Sequence, residues 1–213
     1  MKILKTFFLI TIILALFAAC SSSSQNDPAT NITPVDIDIS ATSSALPQHK
    51  VVTFETETHG KFVVETYPEY APETVRHFIS LVQSGYYNGF TIDTIEPSKA
   101  IFTSEDSSSA SSNSVDAVRA STVVGEFTAN GRSNTLKLDK YTLALWHHED
   151  NNDSGKAKFF ITLTSNHTYD GEYAGFAKVT QGKDVIDRIA GTETNAKGRP
   201  LSPIVIKKAY LNN

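Results

Sequence analysis

Chemistry in this chain has few places to start. Residues 158–163 read Lys-Phe-Phe-Ile-Thr-Leu, and along a strand successive side chains point to opposite faces. Phe159, Ile161 and Leu163 then share one face, an apolar set suited to a core. Lys158, Phe160 and Thr162 share the other, so Phe160 is one large ring among polar neighbours. Such a ring is either partly buried structure or the floor of an apolar pocket. A second group is the run His147, His148, Glu149 and Asp150, with His167 further on. These side chains could ligate a metal, but adjacent histidines on a strand face opposite ways. The run also enters an Asn/Asp-rich stretch, so it reads as an exposed turn and no metal is expected. No Gly-x-Ser-x-Gly elbow, P-loop or His-Glu-x-x-His occurs, and no cofactor is implied.

A domain large enough to bury a core must position these residues. Of 213 residues, 40% are apolar and 20% charged, which suits one well-filled globular domain with appendages. The first twenty residues stand apart. Lys2 and Lys5 precede an apolar run from Phe7 to Phe17, and Ala18 and Ala19 precede Cys20, the sole cysteine. That run is short for a bilayer span and fits a signal-peptide core. The stretch "LFAAC" resembles the bacterial lipoprotein signal, in which cleavage leaves a lipidated N-terminal cysteine. Phe17 stands where that signal more often has Leu. The alternative is an ordinary secretory leader with an incidental cysteine. Residues 1–19 are therefore expected to be a signal peptide and Cys20 a lipid anchor, placing the protein outside the cytoplasm on a bacterial cell envelope. Intramolecular disulfides are impossible with one cysteine.

Residues 20–49 are rich in Ser, Thr, Asp and Pro and lack helical periodicity. Such a stretch cannot bury enough apolar surface to offset its ordering entropy, so it reads as a flexible tether. The formal charge of −4 becomes −6 once Lys2 and Lys5 leave with the leader. With no Lys/Arg stripe either, nucleic-acid binding is not expected.

The folded part runs from about residue 50 to 213. Two alternating runs, Val51–Thr58 and Lys61–Tyr67, joined at His59-Gly60, read as a β-hairpin. "APETVRHFISLVQSG" reads as a helix: Pro72 suits its first position, Glu73 the positive end of its dipole, and Gly85 the residue after its end. Val75, Phe78, Ile79 and Val82 form its buried stripe. A second helix over Asp184–Ala190 buries Val185, Ile186 and Ile189, and strands are expected near Thr142–Trp146, Lys158–Leu163, Gly175–Val179 and Ile204–Leu211. Many strands, two helices and no βαβ rhythm predict a mostly β fold, a closed antiparallel barrel capped by helices.

The order of these motifs resembles the cyclophilin-type peptidyl-prolyl isomerase family. "GKFVVETYPEYAPETVRHFISLVQSGYYNG" is similar to its N-terminal third, and "VGEFTANGRSNTLK" to the segment before its central strand. "AKFFITLTSNHTYDGEYAGFAKVTQGKDVIDRIAG" is similar to its Ser-Gln-Phe-Phe-Ile strand, Leu-Asp-Gly turn, Phe-Gly-Lys-Val strand and closing helix. The resemblance covers about Lys50 to Leu211 and implies an eight-stranded barrel with a proline-binding groove on its outer surface. Phe160 then matches the floor of the proline pocket, and Phe159 a core ring. Proline-containing peptides or unfolded segments are the implied partners of what would be a monomer.

The resemblance weakens at the catalytic positions. Rotation about a peptide bond meets a barrier of about 18–20 kcal/mol, and an isomerase lowers it by stabilising the twisted amide. In the family an arginine of a Phe-His-Arg motif does so by donating to the prolyl nitrogen. In "GFTIDTIEPSKAIFTSED", Ile92, Asp93 and Thr94 occupy those places, and no arginine lies between Gly85 and Val118. The glycine-rich loop that follows in the family is replaced by a Ser-rich stretch, Ser107 to Ser114. Lys158 replaces the Gln before the double Phe, and Trp146 falls at a small groove-lining position, followed by His147. Tyr173 matches a His or Tyr at the pocket rim, and Thr168 a Trp of cyclosporin-sensitive members. Lys158, Arg119 or Arg132 could substitute for the missing guanidinium. Two functions follow as expectations: a tethered isomerase assisting extracytoplasmic folding with weak or lost catalysis, or a non-catalytic module binding proline peptides or an envelope protein.

Overall fold

The computed structural model describes residues 48–102, 121–165 and 167–212. The leader, Cys20, nearly all of the tether, the Ser107–Ser114 stretch and Arg119 lie outside these residues.

The chain enters through the expected hairpin, β1 (Val51–Thr56) and β2 (Lys61–Thr66). Val51 pairs with Glu65 and Glu55 with Lys61, so Val52, Phe54, Phe62 and Val64 all face inward and are fully buried. Helix α1 spans Pro72–Gln83. Its buried stripe is Thr74, Val75, Phe78, Leu81 and Val82, with Ile79 packed at the margin. Ala71 cannot cap this helix with a side chain, and a distant carboxylate does so instead. Glu126 accepts the backbone N–H of Glu73 at 3.0 Å, that of Thr74 at 2.8 Å and the Thr74 hydroxyl at 2.7 Å. Those amides belong to the orphan donors of a helix N-terminus, and the negative charge complements the positive end of the dipole.

The remaining strands are β3 (Ile92–Ile95), β4 (Lys99–Phe102), β5 (Thr142–Leu145), β6 (Phe159–Thr162), β7 (Ala174–Gln181) and β8 (Ile206–Leu211). Helix α2, Lys183–Ala190, buries Val185, Ile186 and Ile189 as expected. It starts directly from β7 through Gly182, whose φ is +74°; a Cβ there would lie 2.4 Å from the Lys61 carbonyl, so only glycine fits.

All eight strands pair antiparallel, in the order β3-β4-β6-β5-β7-β2-β1-β8. The sheet curls around an aromatic interior of Phe54, Phe62, Phe78, Tyr87, Phe102, Phe159 and Phe176. Phe54 stacks on Phe62 at 5.0 Å and Phe102 on Phe159 at 5.1 Å. The eight strands form a curled half-barrel, and of the expected closure the structure shows a short meeting of its two edges. Just ahead of the edge strands, Thr91 forms an isolated bridge with Val205. There the Ile92 N–H donates to Ile204 O at 3.0 Å, and the Ile206 N–H to Phe90 O at 2.7 Å.

Candidate functional site

The double phenylalanine splits as its alternation requires. Phe159 belongs to the interior, whereas Phe160 anchors a separate apolar cluster with Ile101, Leu138 and Ala144. Register places that cluster on the outer face. Thr94 pairs with Ile101, Ile101 with Phe160, Phe160 with Ala144, and Ala144 with Gly175. Directly opposed residues share a face, so these five form one row across the outside of the sheet.

Phe160 is the floor of this row, but a covered one. Its ring is 0% exposed. Tyr169 meets it edge-on at 5.3 Å and Tyr173 at 5.0 Å, and the two tyrosines meet each other at 5.7 Å. Perpendicular contacts of this kind match ring edges to ring faces. The Tyr169 hydroxyl is pinned by Ser98 Oγ at 2.7 Å and accepts from Lys99 Nζ at 3.2 Å. Burial would lower the Lys99 ammonium, yet its hydrogen bonds to Glu96 and Tyr169 outweigh that and hold it above the usual lysine range. Burial pushes the Tyr173 phenol up. Tyr169 was not singled out in the sequence; its only signal is its place at the Leu of the Leu-Asp-Gly turn.

At the β3 end of the row, a register shift between Ile92 and Thr94 sets two residues against one. Such a bulge turns Asp93 and Thr94 to the same side, while Ile92 and Ile95 remain in the core. Thr94 thus pairs with Ile101, the neighbour of Phe160 in this row. Asp93 has recruited two cations. Lys158 Nζ lies 3.5 Å from its Oδ2 and 4.7 Å from the Trp146 ring centroid, and Arg199 Nη2 lies 3.6 Å from its Oδ1. Trp146 packs at the margin of the Phe160 cluster.

Arg199 comes from the turn before β8 and was missed in the sequence, because nothing local links it to Asp93 106 positions earlier. The turn is built by Asn195, whose Oδ1 accepts the N–H of Lys197 at 2.8 Å and of Arg199 at 3.1 Å. Gly198 docks the turn onto β3: the Ile95 N–H donates to its carbonyl at 2.8 Å. A Cβ at Gly198 would lie 2.9 Å from both Ile95 O and Thr94 Cγ2.

The other expected residues sit as follows. His147 is buried between Phe127, on which it stacks at 4.9 Å, and Tyr173 at 4.6 Å. Each of its ring nitrogens lies against a backbone carbonyl, His148 O at 2.8 Å and Glu172 O at 2.9 Å. It supports the rim from below and lends no free nitrogen to a ligand. Thr168 is exposed in the turn before Tyr169. Arg132 lies near the Asp153 carboxylate, which its charge helps keep below the usual range behind the larger effects of the Gly125 N–H and Asn130. His167 pairs with Asp139 and Asp170.

Eight antiparallel strands curled around a core, two helices and an apolar cluster around Phe160 on the outer face make a cyclophilin-like fold, and comparison with known proteins agrees. Residues 51–211 match the family model described as cyclophilin type peptidyl-prolyl cis-trans isomerase/CLD. The chain is 30% identical over 158 residues to peptidyl-prolyl cis-trans isomerase-like 1 of Emericella nidulans, covering 74% of this chain and 92% of that protein. It is 32% identical over 164 residues to a peptidyl-prolyl cis-trans isomerase of Streptomyces antibioticus, covering 71% and 93%. A crystal structure of a cyclophilin type isomerase from Cryptosporidium parvum superposes with a TM-score of 0.64 at 20% identity, over 78% of this chain and 99% of that one. This chain belongs to the cyclophilin type peptidyl-prolyl cis-trans isomerase family.

Proposed function

We propose that this is a cyclophilin-like domain that engages proline-containing segments on its outer aromatic row and isomerises them weakly or not at all. Thr94 is the observation that carries this reading. A preorganised donor aimed at developing charge is worth about 2.7–4 kcal/mol, or roughly 10²–10³ in rate, and a threonine hydroxyl beside Ile101 is no guanidinium. The covered Phe160 supports it further, since a prolyl ring must displace Tyr169 or Tyr173 to reach the floor. A related Cryptosporidium parvum structure was determined in the presence of the dipeptide Ala-Pro, at 22% identity to this chain, and supports proline as the ligand class.

Titration with an Ala-Pro peptide tests this, read by Trp146 fluorescence, the sole tryptophan, and by amide shifts. Saturable changes near Trp146 and Phe160 without faster prolyl exchange support a binder. Exchange at rates usual for catalysts makes it an isomerase, and no change in either observable removes the groove reading.

We further propose that the leader and Cys20 place the domain on the outside of a bacterial membrane, where it attends to folding segments or an envelope protein. The leader composition and the single cysteine ahead of a polar stretch support this. The native chain partitions with membranes and Cys20→Ser with the soluble fraction; equal partitioning refutes the anchor.

A further inference from the structure

Two cations gather on one carboxylate beside the aromatic row of a chain whose formal charge is −4. Asp93 and Lys158 are each 17% exposed, and Arg199 is 59% exposed. Their contacts, at 3.5 and 3.6 Å, are longer than the roughly 2.7–2.9 Å of a charge-assisted hydrogen bond. Among the described residues neither cation is saturated, because an ammonium carries three donors and a guanidinium five. Asp93 therefore holds Lys158 and Arg199 near each other without satisfying them, leaving, among the described residues, one surplus positive charge at the Thr94 end of the row.

We infer that this cluster is an anion subsite of the groove, selecting proline segments that carry an acidic side chain. The inference rests on the groove reading above. Charge complementarity identifies the ligand, and spacing sets the position. Lys158 lies two residues from Phe160 along β6, about 6.6 Å, and β3 lies two strands away, about 9.6 Å. An extended peptide advances about 3.3–3.6 Å per residue, which puts the carboxylate two or three residues from the proline. The aromatic row supplies an apolar contact for the ring, and Lys158, lying over Trp146, ties the two subsites together. Docking of Gly198 on Ile95 fixes where the Arg199 turn sits.

The test uses two pairs of proline peptides, with Glu or Gln at both the second and third residues before the proline in one pair and after it in the other. Dissociation constants are measured by NMR titration with the full chain at low salt and at 0.5 M salt. One Glu peptide is expected to bind about 3–5-fold tighter than its Gln partner at low salt, the upper range for partly exposed charge pairs, with the difference shrinking at high salt. Arg199→Glu, an exposed substitution, is expected to make the Gln peptide the tighter one. Equal affinities in both pairs, or an unchanged preference in Arg199→Glu, overturn the subsite while leaving the groove standing. Failure of all four peptides to bind overturns both.

Discussion

Tyr169→Leu separates the covering of Phe160 from the fold that carries it. The phenol gives up a 2.7 Å bond with Ser98 and a 3.2 Å bond from Lys99, each worth about 0.5–1.5 kcal/mol net. Its edge contacts with Phe160 and Tyr173 add about 0.5–1.5 kcal/mol each beyond area burial. Leucine refills part of the volume, and the terms share atoms and are not additive. A loss of about 2 kcal/mol is the working figure, which lowers the melting temperature of a domain this size by about 4–8 °C. Urea denaturation gives the stability change, and a parallel Ala-Pro titration gives the functional one. Tighter peptide binding together with lower stability is the expected pair of results, because the side chain that contributes stability also blocks the floor. A stability loss under 0.5 kcal/mol, or a destabilised variant that binds the peptide no better than the native chain, refutes the covering argument.

Glu126→Gln removes the charge but keeps a short acceptor at the start of α1. With three donors sharing that carboxylate, a cost of about 1–3 kcal/mol is expected, and a urea midpoint within error of native refutes the cap. Asp170 accepts the Leu138 N–H at 2.8 Å and Lys137 at 3.0 Å. Burial acts to raise its pKa, but these bonds outweigh it and the folded value lies below the ordinary one. Its contribution is then full above the unfolded value of about 3.9 and is lost as the pH falls through the folded value. The stability gap between native and Asp170→Asn is expected to narrow below about pH 4; a gap independent of pH between 7 and 3 contradicts this.

Most of the fold was legible because its signals are local. The hairpin alternation, the Pro72 start of α1 and the α2 stripe Val185, Ile186 and Ile189 all appear where the pattern puts them. Leu81 joined the α1 stripe because the curled sheet wraps more of the helix than one narrow face. Strands β3 and β4 carried weaker signals, since a bulge at Asp93-Thr94 interrupts the alternation and the next strand begins with a charged residue, Lys99, whose side chain is largely covered. In the site, Phe160 was legible from its place between Lys158 and Thr162. What covers it was legible only in part: the resemblance put Tyr173 at the rim, whereas Tyr169 arrives from a turn whose path no spacing encodes. Arg199 was hidden for the same reason: Lys158, Arg119 and Arg132 drew attention by proximity in the motif, whereas a turn closed by Asn195 and Gly198 delivers Arg199 to the face. His147 was expected to line the groove beside Trp146, and the structure sets its two ring nitrogens against backbone carbonyls.

The cis–trans exchange rate of an Ala-Pro peptide, measured by NMR with the native chain and with Thr94→Arg, bears most directly on the loss of the guanidinium. Native protein at saturating concentration is expected to leave the exchange at its uncatalysed rate of tens to hundreds of seconds, and the variant to shorten it. Native exchange faster by two or more orders of magnitude would show that another group on this face performs the catalysis, and the account built on Thr94 would fall.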